Sequence, residues 1–186
     1  MLAAEQILDR AVEWSEDPKT TSNLDMTSVL VRATRQRDAE LIWDMHERLS
    51  NDSVYFRYLG ANKPSIESLQ QLCSSGGVAG KVLVATVKEP QERVVAIACY
   101  HIDADNSSVA EPAVLVEDSY QGCGLGKRVM IALCKDAVQK GVKVFKTFIH
   151  PSNYRVMGLI QGSGLYFESK YNDGLKEIWV WLPQRS

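Results

Sequence analysis

Seven residues, Gln121-Gly122-Cys123-Gly124-Leu125-Gly126-Lys127, constrain the fold of this chain more than any other stretch because of what flanks them. The run Ala113-Val114-Leu115-Val116 before them is short and apolar, as a buried strand is. After them Leu125, Val129, Leu133 and Ala137 recur every four residues, as one face of a helix does. A glycine-rich turn between strand and helix presents backbone N–H groups at the positive end of a helix dipole. Such a turn is a site for phosphate, so the chain is expected to hold a phosphorylated ligand.

The surrounding pattern predicts one domain with an N-terminal appendage. Residues 4–16 have Ile7, Leu8, Ala11, Val12 and Trp14 toward one side, as in an amphipathic helix, and the polar run Asp17–Asn23 follows as a linker. The spacing then predicts a strand at Val29–Arg32 and helices over Gln36–Leu49 and Ser65–Cys73. A loop rich in aromatics is expected from Asn51 to Gly60, between those helices. Strands follow at Val82–Val87, Val94–Ile102 and Val109–Val116, the first two joined by a turn at Glu89–Glu92. After the loop helix come a strand at Val142–Ile149, a helix at Tyr154–Gln161 and two closing strands, near Tyr166 and at Ile178–Leu182. This order predicts an α/β or α+β class with a mixed sheet. The domains are then 1–24, helix and linker, and 25–186.

Composition excludes several alternatives. Lys plus Arg total 21 against 23 Asp plus Glu, a net charge of −2, so no basic face for nucleic acid is expected. The longest apolar run, Val94–Tyr100, is too short to cross a bilayer, and Met1–Gln6 lacks the basic start and apolar core of a secretion signal, so none is expected. The four cysteines form no Cys-x-x-Cys, and the histidines are scattered, so reduced thiols, a cytoplasmic location and no metal are expected.

Three phosphate-loop patterns can be compared at residues 121–128. A Walker loop needs one more residue between its glycines, and a hydroxyl where Arg128 stands. A dinucleotide fingerprint needs Gly-x-Gly-x-x-Gly near the start of a βαβ unit, whereas this loop arrives after three consecutive strands. Gln-x-x-Gly-x-Gly is matched by Gln121, Gly124 and Gly126. On that motif and the element order over residues 28–182, the chain resembles the GNAT superfamily of acyl-CoA-dependent N-acyltransferases. Val54–Tyr58 and Ala110–Ala113 look most like the acetyltransferase module of bacterial Pat-type protein lysine acetyltransferases.

The resemblance implies a GNAT fold: a mixed, mostly antiparallel sheet of six to seven strands flanked by about four helices. It implies acetyl-CoA as cosubstrate, with its pyrophosphate on Gln121, Gly122, Cys123, Gly124, Leu125, Gly126 and Lys127. The pantetheine arm would pair with the backbone of Val114, Leu115 and Val116, with an N–H near Leu115 or Val116 facing the thioester oxygen. Asn153 would hydrogen-bond the cofactor, or serve only as a helix N-cap. Lys127 either adds charge near a phosphate or is simply solvated.

The acceptor is an amine, on a protein lysine or a small molecule, and oligomeric state stays open between monomer and homodimer. An alkyl amine with a pKa near ~10.4 must lose a proton before it attacks, so a partly buried carboxylate is needed as base. Glu111 is that candidate, against an ordinary exposed strand position beside Pro112, which suggests a bulge or edge. Glu117 and Asp118 are expected to shape the turn. Many family members carry a tyrosine seven residues beyond the asparagine, where this chain has Ile160, so Tyr154 or Tyr166 substitutes or the thiolate leaves unaided. A non-catalytic acyl-CoA sensor is the rival reading.

Overall fold

The computed structural model describes residues 26–74, 80–88 and 90–184. The expected helix and linker over 1–24 lie outside them. Seven strands form a single sheet: β1 Leu30–Ala33, β2 Lys81–Val87, β3 Arg93–Ile102, β4 Val109–Val116, β5 Val144–Ile149, β6 Phe167–Asn172 and β7 Leu175–Trp181. Their spatial order is β1-β2-β3-β4-β5-β7-β6, and every pair is antiparallel except β4 with β5.

The described helices are α1 Asp38–Glu47, α2 Asn51–Tyr58, α3 Ile66–Ser74, α4 Leu125–Gln139 and α5 Tyr154–Gln161. Strands β2 and β3 are buried along nearly their whole length because helices cover both sides of them. On one face Ile42 and Met45 of α1, Val54 of α2 and Leu69 of α3 pack on Val84, Ile97 and Leu115. On the other, α4 lays Leu125, Val129, Leu133 and Ala137 on Ala98, Tyr100 and Ala110, and all four are fully buried. Each of the larger three contributes roughly 1.5–3 kcal/mol by leaving water. The four-residue repeat of α4 is therefore a core stripe, as its spacing predicts.

The α2 segment is a correction. Residues 51–58 were expected to be loop, yet Ser50 caps a helix there by accepting from the Ser53 N–H, and Leu59 ends it in the left-handed region at φ 51°. Only Ser53 and Val54 of this helix are buried, so it carries no apolar stripe for periodicity to detect. The antiparallel pairing of β2 with β3, the span of β4 and that of α5 agree with expectation, while Glu89 of the expected turn lies outside the described residues.

Candidate active site

Strands β4 and β5 pair only at Val109↔Val144 and Ala110↔Phe145, then part. Their divergence follows from one residue. Val109 O accepts from Asp103 N–H and Glu117 N–H donates to Val95 O, so the odd-numbered residues of β4 face β3. Even-numbered residues then face β5, and Pro112 holds the first of those positions after Ala110. Proline has no N–H to give, so the β5 ladder stops there without harm to the β3 ladder.

Beyond Pro112, the backbone groups of Val114 and the N–H of Val116 point into the opening. Leu115 presents its N–H to β3, so of the two residues expected to face a thioester oxygen the geometry leaves Val116. The Val116 carbonyl is taken by Gln121 Nε2 at 2.8 Å.

The glycine loop stands beside the open end of this gap. Gly122 and Gly124 have φ of 74° and 85°, where a β-branched residue is strained. Gly124 is the N-cap of α4, and Arg128 N–H donates the first bond of that helix, to Gly124 O at 3.0 Å. The N–H groups of residues 125–127 precede that bond at the positive end of a four-turn helix. A Cβ on Gly126 would touch Val116 Cγ2 and Leu159 Cδ1 at 3.6 and 3.5 Å, so this glycine seats α4 closely against β4 and α5. Cys123 is buried, its thiol 2.8 Å from Tyr120 O.

Side chains fasten the loop to α2. Besides Val116 O, Gln121 Nε2 donates to Ser53 Oγ at 3.1 Å, and its Oε1 is buried and unpaired among the described residues. Asp118 accepts from Ser50 N–H, Ser50 Oγ and Ser53 Oγ at 2.9, 2.7 and 2.8 Å. Burial pushes the Asp118 carboxyl up, but these serine bonds outweigh it and hold it below the usual range. Glu117 is buried, with one oxygen on Arg48 and the other on Arg93 and Ser119. Both carboxylates are committed to structure, as expected of them.

On the α1–α3 face of β4 lies a cavity of about 160 Å³. Its walls include His46, Arg57, Tyr58, Leu69 and Leu72, with Ile97, Cys99 and Ala113 as floor. His46 is buried, with Nδ1 at 2.7 Å from Ile42 O and Nε2 at 2.6 Å from the Tyr58 hydroxyl. A carbonyl only accepts, so Nδ1 carries the proton and Tyr58 donates to Nε2. Burial pushes the His46 pKa down, consistent with a neutral ring. Arg57 lies over the Tyr58 ring at 4.9 Å and reaches Cys99 Sγ at 4.0 Å. Across the gap, Tyr55 and Phe56 of α2 meet the His150 ring that follows β5, at 5.6 and 5.9 Å.

Glu111 falls on the same face of β4 as Ala113 but is exposed, so the polypeptide does not supply the burial expected around a base. Asn153 caps α5: its Oδ1 accepts from Val156 N–H at 3.2 Å, and among the described residues nothing accepts from its amide nitrogen. Tyr154 is 77% exposed, and the Tyr166 hydroxyl donates to Glu168, which raises its pKa. Ile160 packs against the core. Sequence reading did not find the cavity or His46, whose partners lie 4 and 12 residues away on other turns and another helix. The Pro112 signal was present, but its consequence for β5 needed the register.

Among the described residues no His, Cys, Asp and Glu group could hold a metal ion, and no helix is long and apolar enough to cross a membrane. The fold matches the GNAT domain of PAT from S. lividans with a TM-score of 0.73 at 23% identity, covering 82% of this chain and 89% of that one. It matches yncA from Salmonella typhimurium, solved with its cofactor acetyl-CoA, with a TM-score of 0.67 at 18% identity, over 84% and 94%. The ribosomal-protein-alanine N-acetyltransferase from Brucella melitensis gives 0.64 at 22%, over 82% and 98%. The profile of the acetyltransferase (GNAT) family matches residues 40–164, two-thirds of the sequence and all of the gap, glycine loop and cavity. This chain belongs to the GNAT acetyltransferase family.

Proposed function

We propose that this enzyme acetylates an amine on a protein lysine or a small molecule, with acetyl-CoA held in the β4–β5 gap and Glu111 as general base. Acetyl-CoA-dependent acetylation is the activity of the family; the acceptor and the base are the proposal. The observation that carries it is the early parting of β4 and β5, which leaves strand-type hydrogen-bonding groups open beside a helix N-terminus.

The residues present fit the cofactor. Main-chain N–H groups of Gly122 to Lys127 receive the pyrophosphate, with positive φ at two glycines shaping the turn. Gln121 acts from behind, tying the loop to Val116 and Ser53, and Cys123 seats it in the core. Val114 offers N–H and C=O to the pantetheine amides as a neighbouring strand would, and Val116 aims its N–H at the thioester oxygen. Leu115 contributes a core side chain to the cavity face. The amide nitrogen of Asn153 is left for the arm at its far side.

Acetyl-CoA would supply the thioester: the amine nitrogen, freed of one ammonium proton, would bond to its carbonyl carbon, the C–S bond would break, the sulfur would leave as thiolate, the second nitrogen proton would go to solvent and the first to Glu111. Glu111 reaches that proton from the cavity face of β4, directly or through a water. Bound acceptor and arm would cover the exposed carboxylate. With Ile160 at the place of the family tyrosine, the thiolate leaves without a dedicated acid, as its low basicity allows.

Release of coenzyme A thiol, followed with acetyl-CoA and a panel of amines and lysine peptides, tests the reading. Binding of acetyl-CoA without release above background from any amine would turn the assignment to a sensor, the reading that Ile160 and the exposure of Glu111 favour.

A further inference from the structure

Two charges flank the cavity without neutralising each other. Arg57 is half-buried and, among the described residues, makes no ion pair; its contacts are a thiol and an aromatic face. The other half-buried arginines among the described residues have carboxylates, Arg32 on Asp38 and Glu92 and Arg93 on Glu117. Glu111, on the β4 strand that floors the cavity, likewise makes no ion pair among the described residues. Both lie within electrostatic reach of Cys99: burial pushes its thiol pKa up, Arg57 draws it down and Glu111 adds to the rise. A cation thus lines one small, mostly apolar space, and an anion stands two residues from its Ala113 floor on the same face of β4.

Resting on the proposed acetyl transfer, we propose that the acceptor is an amine that also carries a carboxylate, an amino-acid-type zwitterion, with Arg57 holding the carboxylate and Glu111 meeting the ammonium. A half-buried guanidinium facing a thiol has its fork of donors free for a planar carboxylate, and such charge-assisted pairs are the stronger hydrogen bonds. The same placement sets the amine beside its base. Leu69, Leu72 and Ile97 would receive the apolar body of the molecule. A cavity of about 160 Å³ suits a small acceptor and lies well below the usual range for drug-sized ligands. Because Ala113 is in the floor and Val114 opens on the gap, the amine reaches the thioester across a single strand.

The test uses the full chain with acetyl-CoA, comparing common L-amino acids, their decarboxylated amines and lysine peptides without acidic neighbours. The expected kcat/KM of the preferred amino acid exceeds that of its decarboxylated amine by about tenfold or more, from a charge-assisted bond of ~1.5–3 kcal/mol. Arg57→Met should raise KM for the amino acid about tenfold and so erase the ratio, while calorimetry finds acetyl-CoA bound as before. Arg57→Lys, which keeps the charge and loses the fork, should retain part of the ratio and guards against a folding artefact. Equal use of amino acid and decarboxylated amine, or an equal rise of both KM values in Arg57→Met, overturns the inference. Thiol release with lysine peptides alone overturns it too, and leaves acetyl transfer standing. No thiol release with any amine removes both.

Discussion

The two sides of β4 are built from different materials. Toward β5 the site is main chain: N–H groups of the glycine loop, the open edge at Val114 and Val116, and a helix terminus. Toward α1–α3 it is side chain: Arg57, the Tyr58–His46 pair and an apolar lining from α3, β3 and β4. On the proposed reading the main-chain side takes what every acyl-CoA shares, so substitutions there should change the binding of the donor. On the same reading the side-chain side takes the acceptor, so substitutions there should change which amine is used.

The sharpest way to break this division is chemical. Glu111→Gln should lower kcat by about 10²–10⁴-fold, the range for a positioned general base, with acetyl-CoA affinity changed less than about twofold. Parallel loss of both, in stopped assays and calorimetry, would place Glu111 on the donor side and remove its role.

Next in size is the loop. Valine at residue 124 must adopt φ near 85°, a strain of ~1–3 kcal/mol relieved only by moving the helix N-terminus. Gly124→Val should therefore weaken acetyl-CoA binding by up to about a hundredfold in calorimetry. Undiminished affinity in a folded Gly124→Val protein would refute the phosphate assignment.

A smaller effect tests the strap between the two sides. Gln121→Ala deletes bonds to Val116 O and Ser53 Oγ without touching the loop's own N–H groups. It should weaken acetyl-CoA by roughly fivefold, about 1 kcal/mol, and lower the melting temperature by a few degrees. An effect equal to that of Gly124→Val would mean that Gln121 holds the ligand itself.

The smallest effect is a pH dependence confined to the cavity side. His46 is held neutral, its folded pKa below the unfolded value near ~6.5. The unfolded chain then binds the extra proton first, so stability is full above about pH 6.5 and falls as the pH drops toward the folded pKa. Melting temperatures from pH 7.5 to 5 should show this slope in the wild type and a flatter one in His46→Gln. Matching slopes would exclude His46 as the source.

Legibility in the sequence follows the same line. The glycine loop, α4 and the β2–β3 hairpin were readable because periodicity and turn chemistry act between near neighbours. Helix α2 was missed because no apolar stripe announces it; its local signal was Ser50 followed by Asp52 in the first turn, an N-cap pattern. Pro112 was legible as an edge, but not as the residue that opens an interior strand. That required knowing which parity of β4 faces β5.

The sequence by itself determined the proposed donor half of this protein: a Gln-x-x-Gly-x-Gly turn between an apolar strand and a helical repeat fixes its own backbone at a helix N-terminus. Tertiary structure alone decided the proposed acceptor half, bringing Arg57 and Cys99, 42 residues apart, to one cavity, with Glu111 on the same face of the strand that floors it. The physical reason is range. Dihedral preferences and hydrogen bonds within a turn are written in adjacent residues, whereas the assembly of a cavity from three helices and two strands depends on register and helix docking.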